Sequence, residues 1–518
     1  MQRHRFAILV LTSSLASMVA TAALASVPGT GRARSSAAQL AATPPMGWNS
    51  YDAYGTTITE KQFRANVLWM SRHLRRYGWR YAVIDAEWFV RNPTPAGGAP
   101  TAILTMDRYG RYLPAPNRFP SAAHGEGFRP LAHYVHSLGL KFGIHILRGI
   151  PRQAVRENLP IAGSVFRARQ AAALDAPCPW NPDNYGVAAN PAGQAYYDSI
   201  AHLYAAWHVD FIKADCIASH PYAGAEIRML SKALRAAGRP MVLSLSPGPA
   251  PLAELAQLRR YANMWRISND VWDLWYSNTP YPQGVDNQFA RLARWAPLAQ
   301  PGRWPDADML AIGYLGPKPG WGQPRWTRLT HAEQRTYMTL WCIARSPLMI
   351  GGNLTRMNAW TLSLLDNSEV IAVDQHASDA HQVLDRNGFV VWVSRPQVGG
   401  GWYLAAFNLR PRVRTLTVSW PALSLAGARY RVRDLWSHRE LGSEARLRAR
   451  LAAHGSVLYR LTLPRRSLER VEHGEGAIRR NGVRGGGAFA AGAWVRTEPV
   501  QGRRPAVRMM SPTSGRLD

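Results

Sequence analysis

Lysine and cysteine are the scarce residues of this 518-residue chain. Ammonium groups occur only at Lys61, Lys141, Lys213, Lys232 and Lys318, so nearly all of the 62 basic side chains are Arg, set against 33 Asp and Glu, and the formal net charge is +29. The Arg residues are scattered through predicted helices, loops and tail. That distribution argues for a general arginine bias and against a nucleic-acid interface, which would cluster its charge, while attraction to an acidic polysaccharide or a cell surface stays open. Cys178, Cys216 and Cys342 are too few for a disulfide framework, and their spacing matches no zinc motif, so no metal site is expected. One bridge is feasible in an oxidising compartment. Cys178 and Cys216 each fall in a loop after a strand, whereas Cys342 lies in an apolar run and reads as a buried thiol.

Long apolar runs are also missing, except at the start. Residues 1–25 read as a secretory signal: Arg3 and Arg5 give the positive start, Phe6 to Ala23 the apolar stretch, and Ala23-Leu24-Ala25 the small-residue cleavage site. An uncleaved anchor is the competing reading. No later segment approaches the roughly 18 uninterrupted apolar residues that span a bilayer, so the expected product is soluble, without a membrane partner, and secreted or periplasmic. The remainder is amply apolar, at 47% hydrophobic and 18% charged, which excludes disorder of the whole. Twenty Trp among 43 Gly and 37 Pro suit loop-rich surfaces for flat ligands, although Trp is equally good core material.

Residues 26–42 form a small, polar linker. Beyond it a unit recurs in which an amphipathic helix ends at Gly and a short apolar strand follows. Helices are predicted over Glu60 to Tyr77, Leu131 to Leu138, Tyr196 to Trp207 and Ile227 to Leu234. Strands are predicted at Pro45 to Trp48, Tyr81 to Ile84, Lys141 to Ile146, Asp210 to Ala214, Met241 to Leu245, Met264 to Ile267, Ala296 to Ala299 and Leu348 to Ile350. This pattern predicts an α/β fold, a (β/α)₈ TIM barrel over 43–382, with an open doubly wound sheet as the competitor. The barrel is favoured because Asn49, Asp85, His145, Asp215, Ser246, Arg266 and Asp308 follow one strand after another and converge on one face only if the sheet closes. From 383 to 463 short alternating segments without helices predict a C-terminal antiparallel β-sandwich. The basic Gly/Arg-rich tail, 464–518, reads as disordered.

Two segments can carry chemistry. Phe211-Ile-Lys-Ala-Asp215 ends a buried strand with a carboxylate, and Lys213 two residues earlier points to the same side, which favours the ionised form a nucleophile needs. A buried ion pair closing the barrel core is the bland alternative. Met264-Trp-Arg-Ile-Ser-Asn-Asp270 places a second Asp after another strand, again with a basic residue just upstream. Two carboxyl groups at strand ends of one barrel are what glycoside hydrolysis requires.

At this point the chain resembles glycoside hydrolase family 27, the α-galactosidases and α-N-acetylgalactosaminidases. The matching segments are Thr43-Pro-Pro-Met-Gly-Trp-Asn-Ser50, Ile84-Asp85, Leu140-Lys-Phe-Gly-Ile144, Lys213-Ala-Asp215, Trp265-Arg266 with Asp270, and Trp304-Pro-Asp-Ala-Asp-Met-Leu310. Arg345-Ser-Pro-Leu-Met-Ile350 and Val370-Ile-Ala-Val-Asp-Gln375 continue it, so the likeness runs in order from Thr43 to Leu463. It implies a retaining exo-glycosidase that removes terminal α-D-galactosyl residues from an oligosaccharide or polysaccharide, and the signal makes the expected enzyme an exported one. Asp215 would be the nucleophile and Asp270 the acid/base, with no cofactor. Retention implies carboxyl groups about 5–5.5 Å apart, against about 6.5–9.5 Å for inversion.

By the same resemblance Trp48 forms an apolar wall of the sugar site, Asp85 and Lys213 bind ring hydroxyls, Arg266 holds the sugar near C2, and Asp308 lines the pocket. Barrel packing for Trp48, and helix capping for Asp308 and Asp306, are the alternatives. His145 stands where the family often has an aromatic residue. Trp180, in the segment Cys178-Pro-Trp180, offers a stacking wall. The chain also departs from the family pattern. Galactose-specific members carry two consecutive Asp after the second strand, but here the segment reads Asp85-Ala86-Glu87-Trp88. Loss of a hydroxyl partner weakens the galacto preference, and Glu87 points instead to β-L-arabinopyranose, which is galactose-configured without the C6 hydroxymethyl group. Ser246 replaces a Glu that faces the C2 hydroxyl, leaving room for N-acetylgalactosamine as a third glycone. A non-catalytic sugar-binding barrel is the alternative from another class.

Overall fold

The computed structural model describes residues 40–95, 97, 101–316 and 322–464. The expected export signal, most of the linker and the tail from 465 onward lie outside the described residues. Eight parallel strands form the first sheet: β1 (Met46–Asn49), β2 (Tyr81–Ile84), β3 (Lys141–Leu147), β4 (Phe211–Asp215), β5 (Val242–Leu245), β6 (Met264–Arg266), β7 (Trp304–Asp306) and β8 (Leu348–Ile350). They are ordered as in the chain, with β8 returning beside β1. Leu310, just past β7, closes the ring: its N–H donates to Met349 O at 2.7 Å and its carbonyl accepts from Gly351 N at 3.0 Å. The (β/α)₈ barrel is therefore the fold, and the open sheet is excluded.

Period-two alternation sorts the strand residues into two populations. Tyr81, Val83, Phe211, Val242, Met264, Trp304 and Met349 pack together inside the barrel as an apolar floor. The next inward positions along the same strands are polar: Asp85 follows Val83, Lys213 and Asp215 follow Phe211, Ser246 continues from Val242, Arg266 from Met264, Asp308 from Trp304. The outward set, which includes Ala82, Ile84, Ile212, Leu243 and Trp265, packs against the helices. Gly47 is the inward residue of β1 for a steric reason, since a Cβ there would lie 2.1 Å from Tyr81 O on the neighbouring strand.

One predicted strand is wrong. Ala296 to Ala299 is not a strand, because Ala296–Leu298 is a 3₁₀ turn that extends the helix Asn287–Trp295. Its apolar residues belong to the buried stripe Phe289, Leu292, Trp295, Ala296, and Pro297 opens the final turn. The seventh strand is Trp304–Asp306, whose central Pro305 argues against a strand on sequence grounds. The structure tolerates it because the ladder to β6 uses Trp304 N, donating to Asn263 O, and Asp306 O, accepting from Ile267 N, so no Pro305 N–H is needed.

The second unit of architecture begins at Ala377, upstream of the 383 expected. Its strands are β9 (Ala377–Arg386), β10 (Phe389–Pro396), β11 (Trp402–Asn408), β12 (Arg414–Ser419), β13 (Tyr430–Asp434), β14 (Arg439–Glu444), β15 (Arg446–Leu451) and β16 (Ser456–Thr462). Six form one antiparallel sheet, in the order β9-β10-β11-β16-β13-β14, and β12 pairs with β15 as a second sheet. Strands β10 and β11 of the large sheet are apolar on both faces. Phe389, Val391, Val393, Leu404 and Ala406 face the small sheet, while Val390, Trp392, Ala405 and Phe407 join the barrel core. Phe407 meets Phe289 of the barrel edge to face at 5.0 Å between ring centroids. A strand buried on both sides has no polar alternation, which is why Phe389-Val-Val-Trp-Val393 reads as a continuous run.

Trp48 lies in the outward set. It is completely buried, packs on Phe63 at 5.8 Å and Tyr54 at 6.4 Å, and donates its indole N–H to Gly352 O at 2.9 Å. Trp48→Ala is therefore expected to cost about 3–5 kcal/mol of stability in denaturant titrations, as large-to-small core substitutions do, with KM for a small substrate left within about twofold.

Candidate active site

The polar inward positions line a cavity of about 560 Å³ at the carboxyl ends of the strands. Asp85, Glu87, His145, Trp180, Lys213, Asp215, Ser246, Arg266, Asp270 and Asp308 all border it. Trp48 does not: it belongs to the layer between β1 and the helices, and the sequence reading of it as a sugar wall is corrected. The parity of β1 explains the error, since Gly47 and Asn49 point inward and Trp48 must point out. Tyr51, three residues on, is the aromatic that faces the cavity, with the Lys213 ammonium 5.9 Å from its ring centre. Burial, then the charge of Asp270, pushes its phenol well above the ordinary range, so it stays neutral. Trp272, Tyr281 and Met309 are further lining residues that carried no sequence signal before the barrel was closed.

Asp215 sits at the end of β4 within a set of donors from its neighbours. Ser246 Oγ, beyond β5, donates to its Oδ1 at 2.8 Å, and His145 Nε2, on β3, approaches its Oδ2 at 3.4 Å. Burial opposes ionisation, but the His145 hydrogen bond, the His145 and Lys213 charges and the Ser246 hydroxyl together hold the carboxyl well below the usual range. Nδ1 of His145 is buried without a hydrogen-bond partner. An N–H on Nε2 therefore faces the carboxylate. Ser246 was expected to face the sugar; its hydroxyl instead serves Asp215, and only 1% of the residue is exposed.

Lys213 and Asp85 form a second buried group. Lys213 Nζ donates to Asp85 Oδ2 at 2.8 Å, Asn49 Nδ2 donates to the same oxygen at 2.7 Å, and Ala86 N donates to Oδ1 at 2.9 Å. Burial disfavours the Asp85 anion, but the Lys213 and His145 charges outweigh it and bring its carboxyl down. Arg266 organises a third group. Its guanidinium contacts Asp308 Oδ1 at 2.7 Å and Asp270 Oδ1 at 3.1 Å. Asp308 Oδ2 accepts from Val271 N at 2.7 Å, so this carboxylate braces the loop that carries Asp270 and does not cap a helix. Burial, opposed by Arg266 and reinforced by Asp270 and Asp306, pushes Asp308 up to about 7.

Exposure separates these carboxylates by role. The side chains of Asp215 and Asp270 are 23% and 38% exposed, while those of Asp85 and Asp308 are both 3% exposed. Two acids can therefore meet a ligand directly, and two are tied to cations that position the rest. Among the described residues, no cluster of three or more His, Cys, Asp or Glu is arranged to hold a metal ion.

The rim is braced from outside. Cys178 and Cys216 are disulfide-bonded, with Cα atoms 6.0 Å apart, which ties the loop bearing Trp180 and Asn181 to the residue after Asp215. Arg148, buried beyond β3, donates to Cys216 O at 2.7 Å, Ala176 O at 3.0 Å and Glu226 Oε1 at 2.6 Å, and Tyr197 OH donates to Glu226 Oε2 at 2.6 Å. Trp180 remains 47% exposed at the mouth. Cys342 is the buried free thiol that its apolar surroundings predict.

Comparison with known proteins agrees with this geometry. Residues 183–376 match the alpha galactosidase A family model, and residues 386–461 match the model of the alpha galactosidase C-terminal beta sandwich domain. The α-galactosidase of Coffea arabica is 30% identical over 82% of this chain and 94% of its own length, and α-galactosidase A of Homo sapiens is 29% identical over 82% and 89%. A solved β-L-arabinopyranosidase from Geobacillus stearothermophilus is 45% identical, with a TM-score of 0.78 over 82% of this chain and 98% of that one. With eight strands delivering two reachable carboxyl groups to one cavity, and with these relatives matched across both parts of the fold, the chain belongs to glycoside hydrolase family 27 and is a glycoside hydrolase acting on O-glycosyl bonds.

Proposed function

We propose that this hydrolase is an exported retaining exo-glycosidase for galactose-configured pyranosides, with β-L-arabinopyranose as its preferred glycone. The observation that carries the mechanism is the environment of Asp215: it borders the cavity, is partly exposed, and is held ionised by His145, Ser246 and Lys213. Asp215 attacks the anomeric carbon and forms a glycosyl ester as the glycosidic C–O bond breaks. Asp270 gives its proton to the departing oxygen, then takes a proton from the water that cleaves the ester. Ser246 bonds Oδ1 at 2.8 Å, more tightly than His145 approaches Oδ2, so Oδ2 is the attacking oxygen.

The glycone preference rests on the wall after β2. Ala86 occupies a lining position where galactose-specific relatives have a carboxylate, and Glu87, 4% exposed, fills the adjoining wall with Asn181 Nδ2 3.5 Å from its Oε1. A site that lacks a partner for the C6 hydroxyl gains least from galactose and loses least with a sugar that has no C6 group. The arabinopyranosidase at 45% identity supports the same choice. The Cys178–Cys216 bridge suits an oxidising compartment and so supports export.

Proton NMR of the first product is expected to show the anomeric configuration of the substrate, and Asp215→Gly is expected to lose roughly 10⁴-fold in turnover and to yield the inverted glycosyl azide when azide is added. An inverted first product would contradict the mechanism. Removing one charge from the cluster with Lys213→Met raises the pH at which Asp215 ionises, so the acidic limb of the kcat/KM profile moves to higher pH; an unmoved limb would show that Lys213 does not hold Asp215 ionised. Among nitrophenyl β-L-arabinopyranoside, α-galactoside and α-N-acetylgalactosaminide, kcat/KM is expected to be highest for the first. Ala86→Asp is expected to raise the galactoside-to-arabinopyranoside ratio by about tenfold, and a ratio indifferent to that change would separate the β2 wall from glycone choice.

A further inference from the structure

The C-terminal sandwich holds a row of charge that its fold does not require. Residues 377–463 contain 13 Arg, no Lys and five Asp or Glu, a formal +8. Strand β15 reads Arg446-Leu-Arg-Ala-Arg-Leu451, and period two sends Leu447, Ala449 and Leu451 into the sandwich interior while Arg446, Arg448 and Arg450 stand exposed. Across the ladder, β12 sets Ser419, Thr417 and Thr415 directly opposite them, also exposed. The ion pairs of the sandwich lie elsewhere, Arg395 with Asp379 and Arg433 with Glu369 and Glu440. Among the described residues the three outward Arg of β15 have no ion-pair partner.

Alternate residues of an antiparallel strand are roughly 7 Å apart, so the three guanidinium groups form a regular row about 14 Å long. Like charges in a row repel, and the apolar inner face would be satisfied by any soluble residue outside. What the row does offer is a repeating pattern of guanidinium groups flanked by hydroxyls. A guanidinium grips a carboxylate with two parallel hydrogen bonds, and Ser and Thr hydroxyls pair with sugar hydroxyls. The outward positions of both strands contain no aromatic side chain, which is the element that single-stranded nucleic acid uses for stacking.

We propose that the outward face of β12 and β15 is a docking surface for an acidic polysaccharide, a chain bearing uronate carboxylates and free hydroxyls. Anchoring there raises the local concentration of terminal residues on the same polymer for the barrel to cleave. The inference stands on the sandwich alone and does not depend on which glycone the cavity prefers.

The test is affinity electrophoresis of the full chain through gels containing polygalacturonate, with neutral dextran as the reference. The wild type is expected to be retarded by polygalacturonate and not by dextran. R446E/R448E/R450E is expected to weaken that retardation at least tenfold in apparent Kd, and R446Q/R448Q/R450Q to weaken it less, both with unchanged thermal midpoint and unchanged kcat/KM on a nitrophenyl glycoside. Retardation should also fall with added salt, less steeply in the variants. The proposal is overturned if the wild type is not retarded, if both triple variants bind as the wild type does, so that the charge resides elsewhere in the chain, or if duplex DNA binds the same face more tightly than polygalacturonate at equal ionic strength. Loss of arabinopyranosidase activity in Asp215→Gly with retardation intact would keep the two readings separate.

Discussion

Keeping one carboxylate charged inside a protein is the constraint around which this molecule is organised. Burial alone would favour the protonated form of Asp215, which could not act as the nucleophile of the proposed mechanism. The barrel solves this by drawing one donor from each adjacent strand, His145 from β3 and Ser246 from beyond β5, and a cation from β4 itself. Lys213 in turn is paired with Asp85, which also accepts from Asn49 Nδ2 and Ala86 N. The opposite charges and donors beside each carboxylate offset the cost of placing it in a low-dielectric cavity. Asp270 differs in that it reaches the cavity on a loop. Arg266 and Asp308 supply the bracing that a strand would otherwise give.

A polar layer of this kind needs a rigid floor. The alternation that puts Tyr81, Phe211, Met264 and Trp304 in the barrel interior also raises Asp85, Asp215, Arg266 and Asp308 above them, because each polar residue is an even number of positions further along its strand. The same rule applied to the sandwich produces its two-faced sheet, one side packed on barrel helices and the other on the small sheet. Support at the mouth comes from outside the strands, where Arg148, Glu226 and the Cys178–Cys216 bridge fix the loop carrying Trp180.

How much of this could be read from the sequence depended on whether a signal was local. Strands such as Tyr81–Ile84 and Leu348–Ile350 announce themselves, being buried apolar runs that follow the helices Glu60–His73 and His331–Ala344. Trp304–Asp306 does not, since a proline at its centre is acceptable only where its neighbours make the ladder bonds, a fact of pairing and not of composition. Arg446–Leu451 alternates cleanly, yet its polar face is all arginine and its partner strand lies far back in the chain. At the site, residues one strand position after another were legible once a barrel was assumed. Trp48 was misplaced because the motif around it is read as a block, whereas parity divides that block between two sides of the sheet. Ser246 reads in the sequence as a missing carboxylate beside the sugar, and only the pairing of β4 with β5 brings its hydroxyl to Asp215.

In the proposed mechanism Asp215 becomes covalently joined to the sugar. This step is tested most directly by incubating the full chain with a 2-deoxy-2-fluoro glycosyl fluoride of galacto or arabinopyranosyl configuration, which slows release of the glycosyl-enzyme, and mapping the label by peptide mass spectrometry. One glycosyl group per chain is expected, on the peptide containing Asp215. A label on Asp270 or Glu87, or rapid turnover with no covalent species at any time, would contradict it.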